Sequence, residues 1–343
     1  MSALSWPEIL TALIAGHDLE DEQTRWAMRQ ILAGEATSAQ IAGFAVGLRA
    51  KGESVGELDA AVETLYAFAA PLSVEGRALD VVGTGGDRSF SVNISTMSAI
   101  VAAGAGALVV KHGNRSASSK SGSADVLEEL GVRLDLQPAD VARVAREVGI
   151  TFCFAPMFHG ALRYPGPTRS ELGVPTMFNL LGPIANPARP AAQAIGCADL
   201  RAAPLIAGVF ARRGVDAWVF RGDDGLDELT TTTTSRLWIV EGEGVVEHTL
   251  DPSRLGIARA TAEDLRGGDV AHNARVVKDL LAGAQGPVRD AVLLNAGAAL
   301  AVHAAEDGGI EDRVAAGIAR AAEAIDSGAA AATLERWVAA TIG

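Results

Sequence analysis

Beyond Ala78 the chain settles into short apolar runs that alternate with helical segments, and its polar loops fall at the ends of those runs. That alternation constrains the fold most. It implies a largely parallel sheet with helices on both faces, an α/β architecture. The runs that read as strands are Ala78 to Val82, Ala107 to Val110, Thr151 to Phe154, Ala192 to Gly196, Ala217 to Phe220 and Leu237 to Val240, with Val132 to Leu136 as a further candidate. The last of the long runs can fold back across Glu241-Gly242-Glu243-Gly244 to pair with Val245 to His248 as a hairpin. Helices are expected over Ser95 to Ala105, Ser123 to Leu130 and Asp140 to Val148, and again over residues 288 to 341. Thr230 to Thr234 is a short low-complexity run, and no tandem repeat is visible.

Residues 1 to about 72 read differently, as helices only. Ser5-Trp6-Pro7-Glu8, Thr37 to Gln40 and Ser54 to Glu57 carry capping patterns, and a further helix covers Glu20 to Leu32. Ile41, Phe44, Ala45 and Leu48 recur at helical spacing. The chain therefore divides into a small helical bundle, residues 1–72, and a larger α/β domain, residues 73–343.

The net charge of −13 opposes a nucleic-acid or anionic-membrane surface, which needs a basic stripe. It leaves room for a basic pocket inside an acidic molecule. Cys153 and Cys197 sit among apolar residues, outside any CxxC pair, and read as buried reduced thiols in a cytoplasmic protein. Met1 to Leu13 lacks a basic leader, and the longest apolar stretch, Ala99 to Val110, is too short to span a bilayer.

Four polar motifs carry the chemistry. Gly83-Thr84-Gly85-Gly86-Asp87 leaves a strand, and its glycines let backbone N–H groups approach an anion. A plain Gly-rich βα turn would have the same composition. It is neither a dinucleotide fingerprint, since Arg88 fills the sixth position, nor a P-loop. Asn93-Ile94-Ser95-Thr96 opens a helix, where hydroxyls and free N–H groups favour phosphate; alone it is better explained by simple helix capping, and a second such loop from a neighbouring strand turns the reading toward a ligand. Lys111-His112-Gly113-Asn114-Arg115, continuing through Ser116, Ala117, Ser118, Ser119 and Ser123, reads as a cationic, hydroxyl-rich loop at a strand's carboxyl end. It suits a phosphate clamp, or else a solvated surface loop. Asp227-Glu228, in an acidic turn that also holds Asp223 and Asp224, suits a hard cation such as Mg²⁺, and an exposed acidic turn accounts for it equally. One ligand answering to both the anion cradle and the carboxylate pair is a Mg²⁺-bound pyrophosphate. His112 and His159 read as loop residues, and no nucleophile–base pairing appears.

With these motifs the sequence resembles the anthranilate phosphoribosyltransferases of tryptophan biosynthesis, over nearly its whole length. The likeness rests on GTGGD at 83–87, NIST at 93–96, KHGNR at 111–115 running on to Gly131, Arg169-Ser170-Glu171-Leu172-Gly173, Phe178 to Pro183, and DGLDE at 224–228. The resemblance implies the substrates 5-phosphoribosyl 1-pyrophosphate and anthranilate, a pair of Mg²⁺ ions, and a homodimer joined through the helical domain, to which about 170–188 would contribute. It implies that Gly83, Gly86, Asp87, Ser91, Asn93, Ile94, Ser95, Thr96, Lys111 to Ser119 and Ser123 hold the phosphoribosyl pyrophosphate. Gly83, Asn114 and Arg169 would face anthranilate, and Ser95, Asp227 and Glu228 would hold metal. Pyrimidine nucleoside phosphorylases share the expected fold and are the competing reading. A non-catalytic nucleic-acid-binding relative would be basic, which this chain is not. The sequence departs from the family pattern at Arg88, Gly160 and Thr168.

Overall fold

A computed structural model of the chain describes residues 4–115 and 121–342. Four helices come first: α1 (Trp6–Ile14), α2 (Asp21–Leu32), α3 (Ser38–Lys51) and α4 (Val55–Phe68). Two of the expected caps form as full boxes. Thr37 Oγ1 accepts from the Gln40 N–H at 3.3 Å while Gln40 Oε1 accepts from the Thr37 N–H at 2.8 Å. Ser54 and Glu57 repeat the arrangement at 3.3 and 2.8 Å. Each box satisfies two N–H groups that the first helical turn leaves unpaired. Ser5 behaves otherwise: its hydroxyl donates to the Glu8 carboxylate at 3.1 Å instead of capping α1.

The α/β domain follows with β1 (Ala78–Gly83), α5 (Ile94–Gly104), β2 (Leu108–Gly113), α6 (Ser123–Glu129), α7 (Pro138–Val148) and β3 (Ile150–Phe154). Three short helices, α8 (Ala155–Phe158), α9 (Gly166–Leu172) and α10 (Met177–Leu181), lead to β4 (Ala192–Gly196). Then come α11 (Ala202–Arg213), β5 (Asp216–Gly222), β6 (Ser235–Glu241) and β7 (Gly244–Leu250). Helices α12 (Val270–Leu281), α13 (Pro287–Ala304), α14 (Ile310–Asp326) and α15 (Ala329–Ile342) complete the domain.

The strands form one seven-stranded sheet in the order β3-β2-β1-β4-β5-β6-β7. The pairs from β3 to β5 are parallel, and the last two pairs are antiparallel. The expected hairpin closes where Glu241 pairs with Gly244. The expected strand over Val132 to Leu136 does not form. Val132 and Leu134 are buried, but the Val132 N–H bonds to Leu127 O to finish α6, and the Arg133 N–H donates to Thr341 Oγ1 at 3.1 Å. With those donors taken, and the sheet ending at β3, the segment packs as irregular chain.

Two large apolar cores flank the sheet. On one face α5, α12, α13, α14 and α15 pack against it. On the other, a single core runs from the helical bundle through Met177, Phe178, Leu180 and Leu181 of α10 and through α11 to Val82, Ile195, Val219 and Trp238 of the sheet. The helical bundle is thus continuous with the sheet's packing and is joined by α10. Among the described residues, no helix is long and apolar enough to cross a membrane.

Candidate functional site

In this strand order the chain leaves β1 to build β2 and β3 on one side and returns to build β4 and β5 on the other. A ligand crevice forms at the carboxyl ends of strands where such a reversal occurs. There Gly83, the last residue of β1, pairs with Gly196, the last of β4. The segment Leu226 to Leu229 crosses directly above the pair. A Cβ on Gly196 would lie 1.6 Å from the Asp227 carbonyl oxygen, and one on Gly83 would lie 2.4 Å from Asp227 Oδ2. Main chain blocks a side chain at Gly196 outright, whereas one at Gly83 would have to push the Asp227 carboxylate aside. Asp227 Oδ2 accepts from the Gly85 N–H at 2.7 Å, the Thr84 N–H donates to Gly196 O at 2.9 Å, and Thr84 Oγ1 accepts from the Ala198 N–H at 3.0 Å. The Gly-rich loop is seated on β4 and on Asp227 at once.

The carboxylates here are short of positive charge. Burial pushes the Asp227 carboxyl well above its usual range, and Asp87 and Glu228 beside it push further. Burial raises Glu228 to about 8, with Lys111 and hydrogen bonds from the Ser95 N–H and hydroxyl acting in the opposite direction. Groups of three or more His, Cys, Asp or Glu side chains in metal-holding geometry are absent among the described residues. The protein supplies a carboxylate pair, the share Mg²⁺ takes when phosphate and water complete its shell. Oxygen-only donors with raised proton affinity fit a hard divalent cation.

Lys111 and His112 do not sit in a loop. Both lie in β2 and are buried, at 1 % and 3 % exposure. The reason is a local parting of β1 from β2. Their register is held at Ala78–Leu108 and Leu79–Val109, and beyond it side chains replace the backbone ladder. Asp80 Oδ1 accepts from the His112 N–H at 3.0 Å, Asn186 Nδ2 donates to Val110 O at 2.7 Å and to Asp80 Oδ2 at 2.8 Å, and Lys111 Nζ donates to Val81 O. Lys111 Nζ also donates to Ser95 Oγ at 3.2 Å. Its ammonium lies beneath the carboxylates, and burial lowers its pKa while Asp80, Glu228 and Asp227 raise it. Burial raises Asp80 to about 6 against the pull of Lys111.

His112 is turned from the loops as well. Its Nδ1 bonds to Gly182 O at 2.9 Å, and its ring meets that of His159 edge to face at 5.2 Å. Burial drops His112 to about 3 and His159 to about 4, so both are neutral at physiological pH. Neither brings a positive charge to a phosphate.

Asn93 precedes α5 without capping it through its side chain. Its Oδ1 accepts from Asn273 Nδ2 at 2.8 Å, and its Nδ2 donates to Ser121 O at 3.3 Å. Thr96 Oγ1 donates to Ser123 Oγ at 3.0 Å, joining the starts of α5 and α6. Ser91 forms an isolated bridge with Arg266. Between the loops, Arg88 and Phe90 take left-handed backbone conformations, φ 59° and 55°. Asn114 is exposed, while Arg115 is tied to Asp125 at 2.8 Å and to Glu128 at 2.5 Å. Ser116, Ala117, Ser118 and Ser119 lie outside the described residues.

Arg169, on α9, places its guanidinium 5.5 Å from the centre of the Phe178 ring of α10. Burial lowers its pKa, with no carboxylate among the described residues acting on it. Thr168 beside it is buried, and Gly160 faces open space. The Gly182 carbonyl held by His112 ends the α10 segment and connects this aromatic corner to β2. A half-buried guanidinium against an aromatic face suits an aromatic carboxylate.

Gly196, Asp80, Asn186 and Asn273 were not singled out by sequence reading. A charged residue inside the apolar run of β1 is the readable signal for Asp80. Nothing local marks Gly196, Asn186 or Asn273, whose roles depend on which strands and loops become neighbours.

Residues 7–69 match the helical bundle domain of the glycosyl transferase family, and residues 75–331 match its a/b domain. The chain is 69 % identical over 337 residues to the anthranilate phosphoribosyltransferase of a Nocardioides species, covering 98 % of this chain and 99 % of that one. It is 59 % identical over 338 residues to that of Thermobifida fusca, covering 98 % and 97 %. The fold superposes with a TM-score of 0.91 on the crystal structure of anthranilate phosphoribosyltransferase from Thermus thermophilus, at 40 % identity and with 98 % and 99 % of the two chains covered. It also resembles the Saccharomyces cerevisiae enzyme in complex with PRPP and Mg, at a TM-score of 0.89 and 24 % identity over 98 % of each chain.

Proposed function

The chain belongs to the anthranilate phosphoribosyltransferase family, and from that premise we propose how its own residues carry the reaction. The enzyme transfers the 5-phosphoribosyl group of 5-phosphoribosyl 1-pyrophosphate to the amine of anthranilate. The bond from ribose C1 to pyrophosphate breaks with its electron pair leaving on pyrophosphate. A C1–N bond forms, and the amine gives up a proton. The observation that carries this reading is the Asp227–Glu228 pair above the Gly83–Gly196 crossing, with the Lys111 ammonium beneath it.

Gly83, Gly86 and Asp87 line the pyrophosphate and ribose, with the backbone N–H groups of the loop turned to the anion. Ser91, Asn93, Ile94, Ser95 and Thr96 hold phosphate at the start of α5. Gly113, Asn114, Arg115 and Ser123 border the donor; Ser116 to Ser119, expected to join them, lie outside the described residues. Lys111 acts from below, offsetting the carboxylates, and His112 orients the strand through Gly182. Asp227, Glu228 and Ser95 would hold a pair of Mg²⁺ ions, which would supply charge neutralisation for the leaving pyrophosphate. Arg169 binds the anthranilate carboxylate, with Asn114 and Gly83 beside the ring. Catalysis then rests on positioning and charge stabilisation of an oxocarbenium-like transition state, without a protein nucleophile.

A homodimer through the helical bundle is part of the proposal. Ile14, at the end of α1, is 85 % exposed and Val46 of α3 is 43 % exposed, apolar surface that a second copy would cover. Two free, buried thiols, Cys153 and Cys197, support a reducing, cytoplasmic setting.

The test is loss of anthranilate fluorescence on mixing protein, phosphoribosyl pyrophosphate and Mg²⁺. Loss that EDTA abolishes supports the reading. A folded protein that leaves the fluorescence unchanged but cleaves a pyrimidine nucleoside with phosphate would replace it with the phosphorylase reading.

A further inference from the structure

Asn295 is a polar residue in the middle of an apolar helix, α13, and is 1 % exposed. Helix propensity favours Ala over Asn at such a position, and a buried amide needs partners. Its partners are two residues beyond Asp227. Asn295 Oδ1 accepts from the Leu229 N–H at 2.9 Å, and Asn295 Nδ2 donates to Leu229 O at 2.8 Å. One side chain thus grips both backbone groups of the residue after Glu228, as a neighbouring strand would. Nδ2 also reaches Ala291 O of its own helix at 2.9 Å, which leaves the amide little rotational freedom.

The other end of the segment is held by a second device. Asp224 Oδ1 accepts from the Leu226 N–H at 3.1 Å, and its Oδ2 accepts from the hydroxyls of Thr230 at 2.7 Å and Thr232 at 2.5 Å. Ser235 Oγ accepts from the Thr230 N–H at 3.0 Å. The acidic turn and the threonine run of the sequence are therefore two halves of one brace. Asp224 commits its carboxylate to the brace, which explains why an acid three residues from Asp227 is structural. Below, the Asp227 carbonyl rests on Gly196.

We propose that Asn295, together with the Asp224–Thr232 brace, is a positioning device that sets the Asp227 and Glu228 carboxylates for a divalent cation. The inference rests on the metal assignment above. Residues 226–229 belong to none of the strands among the described residues; one main-chain bond, from the Gly222 N–H to Leu226 O at 2.9 Å, holds their start, and beyond it these side chains hold the backbone. A carboxylate pair whose backbone can rock binds a small, geometrically demanding cation less well, and residues that orient ligands typically matter by about ten- to a hundredfold in metal affinity.

The experiment titrates Mn²⁺, followed by the free-ion EPR signal, into folded protein with phosphoribosyl pyrophosphate present. Asn295→Asp keeps the acceptor for the Leu229 N–H and loses the donor to its carbonyl. Thr232→Val keeps shape and removes one hydroxyl. Weaker Mn²⁺ binding is expected in both, by about tenfold for Asn295→Asp and less for Thr232→Val, with KM for anthranilate unchanged. Should Asn295→Asp not fold, Thr232→Val decides alone. Folded variants that bind Mn²⁺ like the parent, or that lose both substrates equally, overturn the inference. The Asp227→Asn/Glu228→Gln double variant separates the two claims. If it too binds Mn²⁺ normally, the metal assignment itself falls; if it alone is weakened, only the positioning role does.

Discussion

Gly196 and Asp227 touch through backbone alone: the Asp227 carbonyl oxygen sits 1.6 Å from where a Cβ on Gly196 would be. A residue at the end of β4 thereby sets the height of the carboxylate pair above the sheet. The contact joins residues far apart in the chain, and Gly83 mirrors it from β1, where a Cβ would lie 2.4 Å from Asp227 Oδ2.

Gly196→Ala must displace the Asp227 backbone. Overpacking of this kind costs about 1–3 kcal/mol, and here the obstacle is main chain that cannot rotate aside. Urea unfolding should show that loss together with weaker dependence on Mg²⁺. Gly160→Ala, where a Cβ meets nothing within 4 Å, serves as the control and should change stability by less than about 0.5 kcal/mol.

Glu228, raised to about 8 by burial, links metal binding to pH. Protons and cation compete for it, so half-saturating Mg²⁺ should fall as pH rises from about 6 and level off above about 8. Without metal the sign for stability is opposite. The folded-state pKa exceeds the unfolded one, so the contribution is complete below about 4.5 and is lost as pH rises through about 8. Glu228→Gln should flatten both profiles; a profile unchanged by this substitution would point to another titrating group.

Arg169→Ala should raise KM for anthranilate about ten- to a hundredfold, the scale of a charged hydrogen bond of about 1.5–3 kcal/mol. KM for the phosphoribosyl donor should move little. Equal rises in both would make Arg169 a packing residue against Phe178.

Lys111→Met leaves Asp80, Asp227 and Glu228 without their buried cation. Removing one partner of a buried charge group costs about 3–5 kcal/mol. The cost should be largest above about pH 8 and shrink toward about pH 5, because Asp80, at about 6, and Glu228, at about 8, take up protons as the pH falls. Unfolding at the two pH values gives the difference directly.

Much of the clustering of the candidate residues was legible as sequence. The Gly83–Asp87 loop, the Ser95 helix start and Asp227-Glu228 do converge on one end of one sheet, because each follows a strand and parallel strands share a carboxyl edge. Lys111 and His112 were misplaced for a physical reason. They share a polar run with Asn114 and Arg115, yet the backbone keeps pairing with β3 as far as Gly113 and carries both inward. Two basic residues inside a strand look like a loop until Asp80 and Asn186 are seen to receive that strand's backbone.

What the sequence by itself determined is local: the capping boxes at Thr37 and Ser54, the closing of the β6–β7 hairpin, and the alternation that makes the sheet parallel. Those features depend on hydrogen bonds and backbone preferences spanning a few residues. Tertiary structure alone decided that β4 lies beside β1, that Gly196 must lack a side chain, that Asn295 grips Leu229, and that Lys111 lies under the carboxylates. Each of these joins residues brought together by strand order and by the packing of α13 on the sheet. Contacts at such separations leave no periodic trace in the chain.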